Sequence, residues 1–417
     1  MKTVFKDTLV YDMGVMKKQN ILFDGASFSE IKGDSFPVDA KVIYNTVILP
    51  GFCDVHVHFR EPGFSYKENM ESGSLSAARG GYTAVVTMPN LKPVPDSKEN
   101  LAVQLEAIKR GARIPVYPLG AITVGEAGEC LSDIEGMAKD VIGYSDDGRG
   151  VQSAAMMEEA MLRAKAVGLP IVAHCEDNSL LSGGYIHDGE YARAHGHKGI
   201  SSASEYAQVA RDIELVKKTG CKYHVCHVST KESVEFIRKA KADGVDITAE
   251  TGPHYLTMDD SMLMEDGRFK MNPPIRSRED REALVLGLID GTLDMIATDH
   301  APHSAEEKSR GLSGSLFGVV GLETAFAVLY TKLVLTGVIT LAELVRVMST
   351  APRERFSIKS DAGFAVFDVG EEYEIRPDDF LSMGRATPFE SWRVKGKCLL
   401  TVLDNKALYV DKNLMNI

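Results

Sequence analysis

From about residue 54 to residue 298 the chain alternates short apolar, β-branched runs with helical patterns, and it does so eight times. The strand candidates are Asp54–His58, Thr83–Met88, Pro115–Gly120, Val141–Ser145, Pro170–His174, Lys222–His227, Asp246–Glu250 and Asp294–Thr298. Apolar spacing near 3.6 residues intervenes at Lys98–Arg110, Ser153–Val167, Ala203–Lys218, Lys231–Ala242 and Glu279–Leu288. Eight β/α units predict a TIM-type, eight-stranded parallel β/α barrel rather than an open doubly wound sheet. The region is near the ~250 residues typical of that fold, somewhat enlarged by loops.

Both chain ends read differently. Thr8–Tyr11, Asn20–Gly25 and Lys41–Tyr44 near the start are short β-like runs broken by Gly, Asp and Asn, as are Ser391–Val394, Leu399–Leu403 and Leu408–Val410 near the end. Pairing of the two ends into one small β-sandwich domain is the economical expectation, because chain termini commonly lie close together. The expected division is residues 1–48 plus 360–417 for that domain and 49–359 for the barrel. A chain of 417 residues exceeds what one hydrophobic core usually holds, which agrees with two units.

The stretch Gly51–Gly63 carries the first chemical signal. Asp54, His56, His58 and Arg60 share one parity, and Val55, Val57 and Phe59 the other, so a strand here sends polar groups one way and apolar groups the other. Two imidazoles two residues apart can reach one metal ion, and imidazole suits zinc and other transition metals. In a parallel barrel the active site forms where the C-terminal strand ends meet the following loops. Six of the eight strands deliver His, Asp, Asn or Arg to that mouth. They end in His56-Val57-His58-Phe59-Arg60, Met88-Pro89-Asn90, Ser145-Asp146-Asp147-Gly148, His174-Cys175-Glu176-Asp177, His224-Val225-Cys226-His227 and Thr298-Asp299-His300-Ala301-Pro302-His303. His224 and His227 compete; the loop that begins at Val228-Ser229-Thr230 favours His227 at the rim.

Each residue alone has a plainer explanation. His174 alone reads as a hydrogen-bonded core histidine, Asp146-Asp147-Gly148 as a turn, and Asp299 as a helix cap. Their convergence on one mouth argues against all three. Four imidazoles (His56, His58, His174, His227) and two carboxylates (Asp147, Asp299) exceed one tetrahedral site and suit two cations about 3.5–4 Å apart. Such a pair lowers the pKa of a shared water toward neutrality, and a carboxylate at a strand end, for which Asp299 is the choice, carries the proton from nucleophile to leaving group. Hydrolysis of an amide-like C–N bond is the reaction class expected.

Composition narrows the partners. A net charge of -12 argues against nucleic acid, which needs a clustered basic surface, but leaves room for an anionic substrate beside a local arginine. The six cysteines, Cys53, Cys130, Cys175, Cys221, Cys226 and Cys398, form neither a dense disulfide framework nor a paired CxxC pattern. With no long apolar run at the start or elsewhere, a cytoplasmic protein without membrane contact is expected.

With these motifs assembled, and with Met271-Asn272-Pro273-Pro274-Ile275-Arg276 added, the chain resembles the dihydroorotase family of the amidohydrolase superfamily along essentially its whole length. The resemblance implies reversible cyclisation of N-carbamoyl-L-aspartate to (S)-dihydroorotate with release of water, the third step of de novo pyrimidine synthesis. It implies one zinc on His56, His58 and Asp299, a second on His174 and His227, and Asp147 bridging them. It further implies that Arg60, Asn90 and His303 bind the substrate carboxylate, that His58 and Asn272 contact the substrate, and that the backbone at Phe317-Gly318 closes over it. The Gly/Ser-rich stretch Ser304–Phe317 is then a candidate lid.

One departure sets the subtype. Hydantoinases, allantoinases and some dihydroorotases bridge their metals with a carboxylated lysine at the end of strand four, whereas Val141-Ile142-Gly143-Tyr144-Ser145 contains no lysine. The chain thus looks like the bacterial type that uses aspartate, with zinc at one or two ions per chain. A homodimer, and association with aspartate transcarbamoylase, are partner expectations of the same resemblance. Competing readings are another cyclic-amide hydrolase (dihydropyrimidinase, hydantoinase or allantoinase) and a non-catalytic homologue assembling with the transcarbamoylase.

Overall fold

A computed structural model describes residues 2–25 and 27–415; Met1, Ala26, Asn416 and Ile417, which fall within the expected small domain, lie outside the described residues. The central region is α/β with parallel pairing throughout. Its strands are Phe52–Val57, Tyr82–Thr87, Val116–Pro118 continuing as Gly120–Ala121, Tyr144–Ser145, Ile171–Ala173, Tyr223–Val225, Ile247–Thr251 and Met295–Ile296. They neighbour one another in sequence order, as a three-stranded and a six-stranded sheet. The third strand is split at Leu119, whose N–H donates to Thr87 O (3.0 Å) before Gly120 N–H turns to Gly143 O (3.1 Å). At the other edge the first strand meets the chain just past the eighth: Val57 bridges His300 in parallel, and His58 N–H donates to His300 O (2.8 Å).

Helices cover these strands because their sequences supply both a cap and one apolar stripe. Lys98–Gly111, Ala154–Ala166 and Lys231–Ala242 begin on Ser97, Ser153 and Thr230, whose hydroxyls accept a backbone N–H of the first turn. Lys231–Ala242 then buries Val234, Ile237 and Ala240, a three-residue spacing that keeps one face inward. Ala203–Thr219 and Arg278–Ile289 complete the five helices expected from periodicity, each end moving by no more than a residue or two.

The chain ends share one eight-stranded sheet in the order Lys406–Val410, Lys397–Leu403, Phe364–Asp368, Thr46–Pro50, Thr3–Asp12, Val15–Phe23, Phe28–Ile31, with Lys41–Ile43 beside Thr3–Asp12. The joint between the ends is antiparallel pairing of Thr46–Pro50 with Phe364–Asp368, a strand absent from the expected set although Phe364-Ala365-Val366-Phe367 is aromatic and β-branched between Gly363 and Gly370. One expected strand goes elsewhere. Arg393–Val394 pairs with Tyr373–Glu374 in a separate two-stranded sheet and not with the N-terminal strands. Gly51 links the sheet to the first parallel strand. Any Cβ there would lie 2.3 Å from the Thr83 side chain and 2.4 Å from Ala362 O, so only glycine lets the backbone through.

The two units meet through aromatic rings. Phe367 of the terminal sheet lies 4.0 Å from Phe326 and 5.6 Å from Phe52, centroid to centroid, and all three are buried. Truncating Phe367 to alanine removes the middle of this stack, so Phe367→Ala is expected to cost about 3–5 kcal/mol. Thermal denaturation should show a clearly lowered midpoint for Phe367→Ala and a much smaller change for Phe364→Ala on the same strand, whose side chain is 46% exposed.

Candidate metal centre and active site

The first strand places two of its histidines by breaking strict alternation. Cys53 and Val55 pack in one apolar cluster with Ala84, Val86 and Met295, while Val57 and Phe59 join another with Phe52 and Met70. The expectation that Val55, Val57 and Phe59 share a face therefore fails. The ladder register shifts between Asp54 and Val57, and such a bulge re-aims the side chains beside it. Asp54 anchors the irregular stretch: its carboxylate accepts the His56 N–H (3.0 Å), the Thr298 N–H (3.1 Å) and the Thr298 hydroxyl (2.6 Å), which ties the first strand to the eighth.

Around this stretch the expected imidazoles and carboxylates come together. His56 Nε2 lies 3.4 Å from Asp147 Oδ1 and 3.5 Å from Asp299 Oδ1. His58 Nε2 lies 3.1 Å from Asp299 Oδ1 and 3.5 Å from Asp147 Oδ2. His174 Nδ1 and His227 Nε2 are 2.9 Å apart, and each is 3.6 Å from Asp147 Oδ1. His224 does not join them; its ring is held by Thr248 Oγ1 (2.9 Å) and Glu250 Oε2 (3.1 Å). Nor does Asp146, whose carboxylate accepts the Ile122 and Thr123 N–H groups and the Thr123 hydroxyl. Asp147 alone of the Asp-Asp pair faces the histidines.

The tautomers follow from the partners. Glu250 Oε1 accepts from His56 Nδ1 (2.7 Å), and Asn90 Oδ1 accepts from His58 Nδ1 (2.9 Å) while Asn90 Nδ2 donates to Asp147 Oδ2 (3.3 Å). Both histidines thus donate from Nδ1 and turn Nε2 toward the carboxylates, the orientation in which imidazole binds a metal once Nε2 is free of its proton. His56 Nε2, Asp147 Oδ1 and His174 Nε2 are buried with no hydrogen-bond partner. Buried polar atoms are normally satisfied, so His56 Nε2 and Asp147 Oδ1, facing each other at 3.4 Å, fit a cation between them, whereas His174 Nε2 lies on the far side of its ring beside Glu176. His56, His58 and Asp299 offer one group of ligand atoms within 4.8 Å of one another, and His56, Asp147 and His227 offer a second.

Electrostatics agree with that fit. Burial alone would raise Asp147, but His56, His227 and His58 bring its carboxyl far below the ordinary value; Asp299 is lowered in the same way. Burial lowers His56, yet Asp147 and Glu250 raise it well above the usual imidazole range, so the carboxylates favour positive charge at this point and a cation would take the place of the ring proton. The backbone also pays here: Arg60, His227 and Asp299 have φ of 57°, 31° and 48°. Left-handed conformations at non-glycine residues cost energy and cluster at functional sites.

A cavity of about 160 Å³ opens over the cluster, lined by His58, Arg60, Asn90, Asp147, His174, His227, Asn272, Asp299, His303, Phe317 and Gly318 among others. It gathers every residue expected at the site except His56, which lies beneath it with no exposure. Arg60 donates from Nε to Pro302 O (3.2 Å), and its Nη2 lies 3.3 Å from His303 Nε2. Burial lowers Arg60 to about 10, which leaves it cationic at neutral pH. Gly318 has φ of 132°, and a Cβ there would lie 2.6 Å from Ala301 O, so the wall needs glycine. The expected Gly/Ser-rich lid is more ordered than a loop. It contains the short helices Ala305–Lys308 and Gly311–Gly314, and Lys308 Nζ fastens it to Lys270 O (2.9 Å) and Leu316 O (2.8 Å).

Three residues of this neighbourhood escaped sequence reasoning. Glu250 is fully buried and holds His56, His224 and the His227 N–H (3.2 Å). Glu176 accepts from Asn272 Nδ2 (2.9 Å) and lies 3.6 Å from His174 Nε2. Lys67 reaches His303 Nδ1 (3.1 Å). For Glu250 a signal existed: a charged residue inside the otherwise apolar and β-branched run Ile247–Thr251.

A metal-binding cluster at the carboxyl ends of parallel strands is the arrangement of the amidohydrolases, and the fold agrees. L-hydantoinase from Arthrobacter aurescens superposes with a TM-score of 0.82, at 23% identity, over 98% of this chain and 96% of that one. A family model described as Dihydro-orotase-like matches residues 45–233. Dihydroorotase of Fusobacterium nucleatum is 50% identical over 411 residues, covering 96% of this chain and 97% of the relative. Dihydroorotase of Bacillus cereus is 44% identical over 415 residues, covering 97% and 94%. The chain belongs to the dihydroorotase family.

Because Glu250 fixes the ring of His56 without touching the cavity, its loss should act on the metal. Glu250→Gln is expected to weaken metal affinity by about 10–100-fold, the usual effect of removing a carboxylate behind a ligating histidine. Competition titration with a chromogenic chelator measures it; wild-type affinity in the variant would exclude the role.

Proposed function

We propose that the site interconverts N-carbamoyl-L-aspartate and (S)-dihydroorotate in de novo pyrimidine synthesis. In the synthetic direction the carbamoyl nitrogen attacks the side-chain carboxyl carbon, the ring C–N bond forms and water leaves; in the hydrolytic direction water opens the same bond. The observation that carries this reading is the pairing of a histidine–carboxylate cluster with a buried arginine on one cavity wall. The protein is accordingly a hydrolase of cyclic amide bonds, as its whole-length relatives are.

The residues divide the work as follows. His56, His58 and Asp299 would hold one zinc and His174 and His227 a second, with Asp147 shared between them; the two ligand groups His56/His58/Asp299 and His56/Asp147/His227 support this assignment. Zinc held there lowers the pKa of water and polarises the ring carbonyl. Asp299 receives the proton of the attacking water and delivers it to the amide nitrogen as the C–N bond breaks, a role its place at the cavity floor supports. Arg60 and His303 grip the carboxylate that remains outside the ring, the planar match guanidinium favours. Asn90 steadies both His58 and Asp147 while reaching the same carboxylate, and Asn272 with the Phe317-Gly318 backbone encloses the ring.

The architecture carries the same proposal. Residues 49–359 form a closed eight-stranded barrel, a reading supported by the parallel Val57–His300 bridge between its first and last strands. Residues 1–48 with 360–417 form a β-sandwich, supported by the Phe28 ring reaching Phe364 at 5.4 Å across the folded sheet. Among the described residues no helix is long and apolar enough to cross a membrane. A cytoplasmic location fits six unpaired cysteines, five of them buried. A homodimer, and contact with aspartate transcarbamoylase, belong to the same reading and are decided by sizing the chain alone and with that enzyme.

Two measurements test the activity. Chelation should abolish turnover of dihydroorotate and zinc should restore it, with metal analysis counting one ion or two. Hydrolysis of dihydrouracil or allantoin faster than dihydroorotate would overturn the substrate assignment, because those rings lack the carboxylate. Arg60→Met should lower kcat/KM for dihydroorotate by a factor corresponding to about 2–5 kcal/mol, the range for breaking a buried charged pair. An unchanged value would remove Arg60 from the site.

A further inference from the structure

His303 is the hinge of the carboxylate wall, and its ring can carry its proton on either nitrogen. Four contacts decide which. Nε2 lies 2.7 Å from Phe317 O and 3.3 Å from Arg60 Nη2, and Nδ1 lies 3.1 Å from Lys67 Nζ and 3.4 Å from Glu307 Oε2. An ammonium has donors only, so at 3.1 Å Lys67 requires Nδ1 to accept. The proton then sits on Nε2 and donates to Phe317 O at an ideal distance. The opposite tautomer would set two lone pairs against each other at 2.7 Å and an N–H against the ammonium. The two short contacts therefore outweigh the two long ones, and the Arg60–His303 approach is donor facing donor, not a hydrogen bond.

Lys67 is well held for this task. Its Nζ pairs with Glu307 Oε1 (3.0 Å), packs 5.6 Å and 5.5 Å from the Phe64 and Tyr66 ring centroids, and its side chain is only 10% exposed. Tyr66 also donates to Glu307 Oε1 (3.0 Å), which anchors the acceptor from the other side.

We propose that Lys67 is a positioning residue for substrate selection: by donating to Nδ1 it keeps His303 in its Nε2–H form, so that Arg60 and His303 present two N–H donors to one carboxylate. The Phe317 carbonyl occupies the acceptor position that a carboxylate oxygen takes over, and exchange of that hydrogen bond couples substrate entry to the Phe317-Gly318 wall. A neutral ring offers nothing to replace Phe317 O, so the His303 N–H stays on that carbonyl and the paired contact with substrate is never made, which selects against it. This deepens the proposed function and rests on its carboxylate-bearing substrate.

The test combines spectroscopy with kinetics on the full metal-loaded chain. Long-range proton–nitrogen spectra of ring-labelled protein, assigned by the signal lost in His303→Gln, should show Nδ1 unprotonated in the wild type and a tautomer mixture in Lys67→Met. KM for dihydroorotate should rise about tenfold or more in Lys67→Met, with kcat nearly unchanged, the scale of one hydrogen bond to a charged group. Lys67→Arg, still a donor, should recover most of it. In a His303→Ala background Lys67→Met should add nothing. A protonated Nδ1 in the wild type overturns the proposal, and so does an equal Lys67→Met penalty with and without His303. If the wild type fails to turn over dihydroorotate the substrate reading falls, while the ring spectrum still decides the Lys67–His303 coupling.

Discussion

A carboxylate without exposure to solvent organises this protein. Glu250 stands on the seventh strand and binds His56 on the first, His224 on the sixth, and the backbone N–H of His227 beyond it. Burial alone would neutralise it; His56 and His224 instead bring its carboxyl far below the ordinary range. Removing any partner would leave a buried charge uncompensated, which costs several kcal/mol. Glu250 therefore imposes one arrangement on three strands, and that arrangement aims His56 Nε2 at Asp147 and Asp299. Asp54 does the same between the first and eighth strands through Thr298.

The parallel strands were legible because each is a short apolar run flanked by helical periodicity, a local property. The polar residues at their ends were legible for the same reason: His58, Asp147, His174, His227 and Asp299 all lie close past a strand end and all reach one cavity. What escaped depends on partners distant in the chain. Phe364–Asp368 becomes a strand because Thr46–Pro50 lies beside it, and no local pattern announces that pairing. Glu250 read as one more strand residue, since its partners come from other strands. Lys67 sits in a loop with no periodicity, and only the folded position of His303 gives it a role. Parity failed at Val57 because a bulge, which leaves no mark in composition, turns the side chains after Asp54.

The site shows why functional residues break local rules. Arg60, His227 and Asp299 adopt left-handed backbone conformations that L-residues avoid, at about 1–3 kcal/mol each. All three stand just beyond a strand end, on the cavity wall. The strain is sustained by bonds on either side, such as His58 N–H to His300 O (2.8 Å) and Arg60 Nε to Pro302 O (3.2 Å). A rigid scaffold of parallel strands tolerates this because its core is buried elsewhere, in clusters the site residues do not enter.

The same bookkeeping explains the three orphaned atoms. Buried polar atoms are normally paired, so His56 Nε2 and Asp147 Oδ1, 3.4 Å apart, and His174 Nε2, 3.6 Å from Glu176, are a local cost to the fold. Such a cluster persists only if the rest of the fold holds it, and Glu250, Asn90 and Asp54 are the groups that do so. A cation held by His56 Nε2 and Asp147 Oδ1 would satisfy both in the folded state alone, so its binding would add to stability. The short side chain of Asp147 sharpens that demand on the fold. Asp147 reaches His56, His58, His174 and His227 only because their strand ends crowd to within 3.6 Å of its oxygens, and that crowding is what the buried carboxylates behind the histidines enforce.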